Sequence, residues 1–142
     1  MAFRAMIIIS TAICSVVVLP PKLHAQDVPD PGGAVMCIWT IYSTMQYIGD
    51  TCAEVKKSPI RSAIAINVRR MESFIVRNSD IVPSELAGHR ARFVRDGAQL
   101  CKPGGEGIRS FRQLEKDGVE RMNANIDKLL EIDRPPAWNP CL

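Results

Sequence analysis

From Ala34 to Ile48 apolar residues recur at Val35, Ile38, Trp39, Tyr42, Met45 and Ile48, and no charge appears between Asp30 and Asp50. Steps of three and four residues return a side chain to the same face once per turn, so the spacing predicts a helix. The absence of charge makes it the most buried helix of the chain. Thr40, Ser43, Thr44 and Gln46 are too polar for a membrane span, which favours a helix sandwiched between neighbours. Gly49-Asp50 should end or loosen it near Cys52.

A clearer stripe follows Ser58-Pro59, a helix start signal with serine as cap and proline in the first turn. Ile60, Ala63, Ile64, Asn67, Val68, Met71, Phe74 and Ile75 keep helical spacing, while Arg61, Arg69, Glu72 and Arg77 fall largely outside it. Asn67 is the one polar residue centred in the stripe: it marks either a buried hydrogen bond that sets helix register or the stripe's edge. The helix should stop near Asn78-Ser79-Asp80. Pro83-Ser84-Glu85 should start a third, with Leu86, Phe93, Val94 and Leu100 as its apolar face, although Gly88 and Gly97 weaken it. After the turn Lys102-Pro103-Gly104-Gly105, a long helix from about Gly107 to Glu131 carries Ile108, Phe111, Leu114, Val119, Met122, Ile126, Leu129 and Leu130. Gly118 either bends it or admits a close helix contact. The proline-rich tail, residues 132–142, cannot be helical throughout, yet it holds Trp138 and Cys141. No internal repeat and no useful alternating β pattern is present.

The start of the chain is patterned differently. Arg4 precedes an almost unbroken aliphatic run from Met6 to Leu19, which stops at Pro20-Pro21 and is followed by Lys22-Leu23-His24-Ala25. That order reads as an export signal, residues 1–25, cleaved after Ala25; an uncleaved N-terminal anchor is the alternative. The run is 14 residues long, short for roughly 30 Å of hydrocarbon, so no transmembrane span is expected once the signal is removed. Cys14 is a poor lipid acceptor, because Ile13 stands where a lipoprotein cleavage site wants a small residue. The expected product is one helical domain, residues 26–142, with a flexible start over 26–33, in the periplasm or outside the cell.

Cys37, Cys52, Cys101 and Cys141 survive that processing. Four cysteines in a small exported chain read as two disulfides, with three possible connectivities. Helices joined by short turns favour an all-α, antiparallel up-and-down bundle of about four helices. That topology sorts the cysteines onto two ends, pairing Cys52 with Cys101 and Cys37 with Cys141. Pairing Cys37 with Cys52 would need an early helix break, because continuous helix would hold them about 22 Å apart.

The net charge of +3 includes Arg4 and Lys22, so the mature chain keeps 16 bases against 15 acids. Near-neutrality and export argue against a nucleic-acid partner. The distribution is uneven, however: Lys56 to Lys102 holds ten bases against four acids. Arg69, Arg70 and Arg77 on the second helix and Arg90, Arg92 and Arg95 on the third form a candidate patch for an envelope protein or an anionic envelope component. Guanidinium forks suit the phosphates and carboxylates such partners carry. The bland reading is a solvated face balanced by Glu72 and Asp96.

Catalytic constellations are thin. His89 is the one histidine after the signal, so any Ser/His/Asp or Cys/His mechanism must run through it. Its cationic neighbours would disfavour an imidazolium and leave a neutral ring as a possible base, while the bland reading is a surface or half-buried helix histidine. Glu115, Asp117 and Glu120, or Asp127, Glu131 and Asp133, read as a solvated face rather than an acid/base pair. No metal site and no cofactor is expected, because the cysteine and histidine spacing matches no ligand set. Residues 102–107 lack the lysine followed by Ser or Thr that a phosphate loop requires. Trp39 is expected in the core and Trp138 as a tail anchor.

The leading expectation is therefore a non-enzymatic, exported binding module. Leu100-Cys101-Lys102-Pro103 and Asn139-Pro140-Cys141 resemble the corresponding segments of immunity proteins of the Tai type, which neutralise cell-wall amidases. The resemblance implies, as an alternative, an inhibitor of a cell-wall hydrolase; it transfers no site residue. The other rivals are a small hydrolase using His89 and a lipid carrier opening around Met45, Met71 and Met122.

Overall fold

The uncharged stretch after Gly33 becomes the centre of the molecule. In the computed structural model, which describes residues 33–94 and 97–139, it forms α1 (Val35–Thr51). α2 (Arg61–Arg77), α3 (Pro83–Phe93), the single turn α4 (Gly97–Leu100) and α5 (Glu106–Leu129) follow, and no strand occurs among the described residues. The fold is all-helical, with five helices where the sequence suggested four. The third is the one divided: α3 ends at Phe93, and Gly97 restarts the chain as α4. A Cβ at Gly97 would lie 2.0 Å from the Tyr47 hydroxyl, so any other residue there would have to displace the Tyr47 ring.

α1 and α2 form an antiparallel hairpin. Asp50 pairs with Arg61 at 2.7 Å near the loop, and the Trp39 indole N–H donates to Glu72 at 3.3 Å toward the far end. Val55 and Ile60, both buried, close the loop end. The α2 stripe is buried as its spacing predicts, and Asn67 is wholly enclosed within it. α1 buries more than its stripe: Met36, Cys37, Ser43 and Gly49 are also enclosed, because α2, α3 and α5 all pack on it. Fully burying a large aliphatic or aromatic side chain contributes about 1.5–3 kcal/mol, so this central hairpin dominates the stability of the core.

Two local expectations fail. Ser58 does not cap α2, whose first intrahelical bond runs from the Ile64 N–H to the Ile60 carbonyl; its hydroxyl donates to Glu115 on α5 at 2.5 Å instead. Val119, assigned to the apolar face of the last helix, is 38 % exposed. It follows Gly118, whose φ of 82° and ψ of 162° interrupt the helix, so one apolar phase does not continue through α5. Gly118 therefore bends the helix. A Cβ there would touch nothing, so what glycine supplies is the backbone conformation.

α5 runs parallel to α2 and is tied to it by rungs of near-constant sequence offset. Ser58 reaches Glu115, the Asn67 amide donates to Asn123 at 2.8 Å, Arg70 donates to Asp127 at 2.5 Å, and Arg77 to Asp133 at 2.7 Å. Past α5 the chain returns to the start of α1. The Met36 N–H donates to the Ala137 carbonyl at 3.1 Å, and Arg134 donates to the Gly33 carbonyl at 3.0 Å while lying over the Phe74 ring. Among the described residues one disulfide is present, Cys52–Cys101, with Cα atoms 5.1 Å apart. Cys141 lies outside the described residues, and so does the expected pairing with Cys37. The export signal and Arg95 lie outside them as well.

Candidate functional site: the groove between α2 and α3

Where α5 covers one flank of α2, α3 covers the other only in part. α3 starts at Pro83 because proline fits the first turn, and the Glu85 carboxylate accepts the Val82 N–H at 3.2 Å. Only eleven residues long and with Leu86 as its one buried side chain, it leaves a groove of about 530 Å³ against α2. Arg69, Glu72, Ser73, Val76 and Arg77 line it from α2, at intervals that place them along one helical edge. Pro83, Leu86 and Arg90 line it from α3. Val76 is 38 % exposed and lies with Pro83 and Leu86 in the lining, so the groove combines apolar surface with charged walls.

Glu72 is its electrostatic hub. One carboxylate oxygen accepts from the Trp39 indole at 3.3 Å and pairs with Arg90 at 3.0 Å, joining α1, α2 and α3 at one point. Arg77 is held by Asp133 and lies over Phe74. Its hydrogen bond, with a second from Asn78, holds the Asp133 carboxyl below its ordinary range. Arg69 is exposed and forms neither ion pair nor hydrogen bond among the described residues. Three guanidinium groups thus line the groove against one carboxylate, itself already engaged.

Of the six arginines singled out from the sequence, the structure brings Arg69, Arg77 and Arg90 to this groove. Arg70 faces the other way, bound to Asn67 Oδ1 at 3.0 Å and to Asp127. Arg92 stays on the surface of α3 with one guanidinium nitrogen 2.7 Å from His89 Nδ1. Neighbouring helical positions point about 100° apart, which separates Arg69 from Arg70; that phase was available in the sequence. Glu72 was missed as a hub because its partners lie on two other helices.

His89 is half-buried, with its ring 5.9 Å from Trp138 and 6.3 Å from Phe93. A guanidinium can only donate, so in this contact His89 Nδ1 is the acceptor. The histidine thus fastens the tail's tryptophan to α3. Four of the six carboxylates considered as acid/base candidates, Glu115, Asp117, Asp127 and Asp133, hold structural bonds. Hydrogen bonds from Ser58 and then Arg112 draw Glu115 below its ordinary range; Asp117 pairs with Arg121, and Asp127 with Arg70. Among the described residues no group of three His, Cys, Asp or Glu side chains could hold a metal ion, and no helix is long and apolar enough to cross a membrane.

The chain matches no protein-family model, no curated protein and no solved structure.

Proposed function

We propose that this protein is an exported, non-enzymatic binding module of the cell envelope, and that the α2–α3 groove receives an acidic, partly apolar segment of a partner protein. The observation that carries the reading is the groove itself: Arg69, Arg77 and Arg90 surround an apolar floor at Leu86 and Pro83. An acidic segment would gain charge-assisted hydrogen bonds from the walls and bury an aliphatic side chain against the floor. Arg69, having no partner among the described residues, breaks no bond there by engaging one outside the chain. The engagement of His89 by Arg92 and two aromatic rings favours binding over hydrolysis.

The proposal includes an up-and-down bundle with a second staple between Cys37 and Cys141. The Met36–Ala137 bond supports it by bringing the tail beside Cys37. Four further residues extend up to about 14 Å, enough to bring Cys141 into reach.

Crosslinking and capture of the mature protein in its own cell envelope tests the reading, with Arg69→Glu compared with wild type and with Arg121→Glu on α5 as the control. A partner recovered by wild type and the control but lost from Arg69→Glu is the expected result. Retention of the same partner by Arg69→Glu, or capture of none by wild type, refutes it.

A further inference from the structure

A second cavity, of about 310 Å³, lies between α1 and α3. Ser43, Gln46, Tyr47 and Asp50 line it from α1 at i, i+3, i+4 and i+7. Ala87, Arg90, Ala91 and Val94 repeat the same intervals on α3. Two helical stripes therefore face each other, and one carries alanines where larger side chains would close the space.

Ser43 is the informative residue. It is 2 % exposed and its Oγ has no hydrogen-bond partner. Its own helix shows the ordinary solution: Thr40, Thr44 and Thr51 each donate to the carbonyl four residues back, at 2.9, 3.0 and 2.7 Å. Ser43 has the Trp39 carbonyl in the same relation and does not use it. A buried hydroxyl left without a partner costs free energy comparable to a lost hydrogen bond, so it asks for an acceptor or donor from outside the chain.

The cavity is also polarised. Arg90 uses one nitrogen on Glu72 and keeps further N–H groups to donate. Asp50 gives one oxygen to Arg61 and keeps the other. Ser43 and Asp50 stand seven residues apart on α1, about 10 Å along the axis, and an extended tripeptide covers about the same length.

We propose that this cavity binds a short zwitterionic peptide of about three small residues. Its carboxylate meets Arg90, its ammonium group meets Asp50, and its backbone bonds to Ser43 and Gln46. Small side chains are required because they must pass Ala87, Ala91 and Val94. The site is separate from the α2–α3 groove, touching it only through Arg90.

Titration of the disulfide-intact protein with trialanine, followed by amide NMR shifts, tests this directly. Saturable binding is expected, with shifts at Ser43, Gln46, Ala87 and Ala91. Trialanine blocked at both ends should bind about tenfold more weakly or worse, since both charge-assisted contacts are gone. Ser43→Ala should weaken trialanine binding without lowering the melting temperature, because the hydroxyl it removes makes no bond within the fold. Arg69→Glu should leave trialanine binding intact, which separates this site from the groove. No saturable response, equal binding of the blocked peptide, or unaltered binding by Ser43→Ala overturns the proposal. So does a Ser43→Ala protein that melts earlier, the mark of a hydroxyl satisfied by a structural water.

Discussion

α2 meets α5 on one flank and α3 on the other, and the two contacts are built differently. Toward α5, Ser58, Asn67, Arg70 and Arg77 each reach a named partner across the interface. Toward α3 a single ion pair, Glu72 with Arg90, crosses beside an open groove. On the α5 flank polar side chains are spent on one another, which fixes register and leaves little for a ligand. On the α3 flank Arg69, the unspent N–H groups of Arg90 and apolar surface remain available. What holds the α3–α4 limb is covalent: Cys101, just past α4, is bonded to Cys52 at the end of α1.

Breaking that bond should have the largest effect. The two cysteines are separated by 49 residues, for which chain entropy gives about 4 kcal/mol. Cys52→Ser with Cys101→Ser should lose stability on that scale in urea unfolding, and hydrogen exchange should show α3 and α4 opening before α5. Uniform loss of protection would mean the two flanks do not differ.

Asn67→Ala tests the other side. It strands Asn123 and takes from Arg70 one of its two acceptors in a buried setting, so about 2 kcal/mol should be lost in the same measurement. Both readings of Asn67 were legible in the sequence; the choice between them was not, because Asn123 lies on a helix whose register no local pattern reveals. The helices themselves were legible where polar positions fall cleanly outside the stripe, as in α2. They were less so in α1, where burial on several sides hides the period and Met36 and Ser43 are enclosed off the stripe. Val119 was misplaced because Gly118 takes a non-helical conformation that composition alone does not announce. Ser58 has the chemistry of a cap, and only the fold shows that Glu115 claims its hydroxyl. Of the six arginines of the patch, Arg69, Arg77 and Arg90 line one groove, Arg70 and Arg92 do not, and Arg95 lies outside the described residues; helical phase alone would have separated Arg69 from Arg70.

A smaller effect should appear with pH. Glu115 is drawn below its ordinary value of 4.5 by Ser58 and Arg112. The folded carboxyl therefore binds a proton less readily than the unfolded one, and its stabilisation is complete above that ordinary value and lost as pH falls through the lowered folded value. The melting temperature of wild type should fall further than that of Glu115→Gln between about pH 5 and pH 3. Equal slopes would show that this rung contributes nothing.

The smallest change sharpens the contrast most. Arg69 and Arg70 are adjacent, yet Arg69→Ala should alter stability by no more than about 0.5 kcal/mol, while Arg70→Ala should cost about 1 kcal/mol. Equal losses, read from paired urea curves, would remove the distinction between a free and a committed flank.

The near-constant offset along α2 and α5 also bears on the order of folding. Residues 55–57 positions apart cannot meet until a long loop has closed, whereas the turn of the α1–α2 hairpin brings Asp50 and Arg61 together across only 11. Loop closure therefore favours the hairpin as the first contact, and the rungs are expected to close later. Interactions that form late act mainly on the rate of unfolding. The ladder is then a latch: it contributes little to how fast the chain finds its shape and much to how long it keeps it.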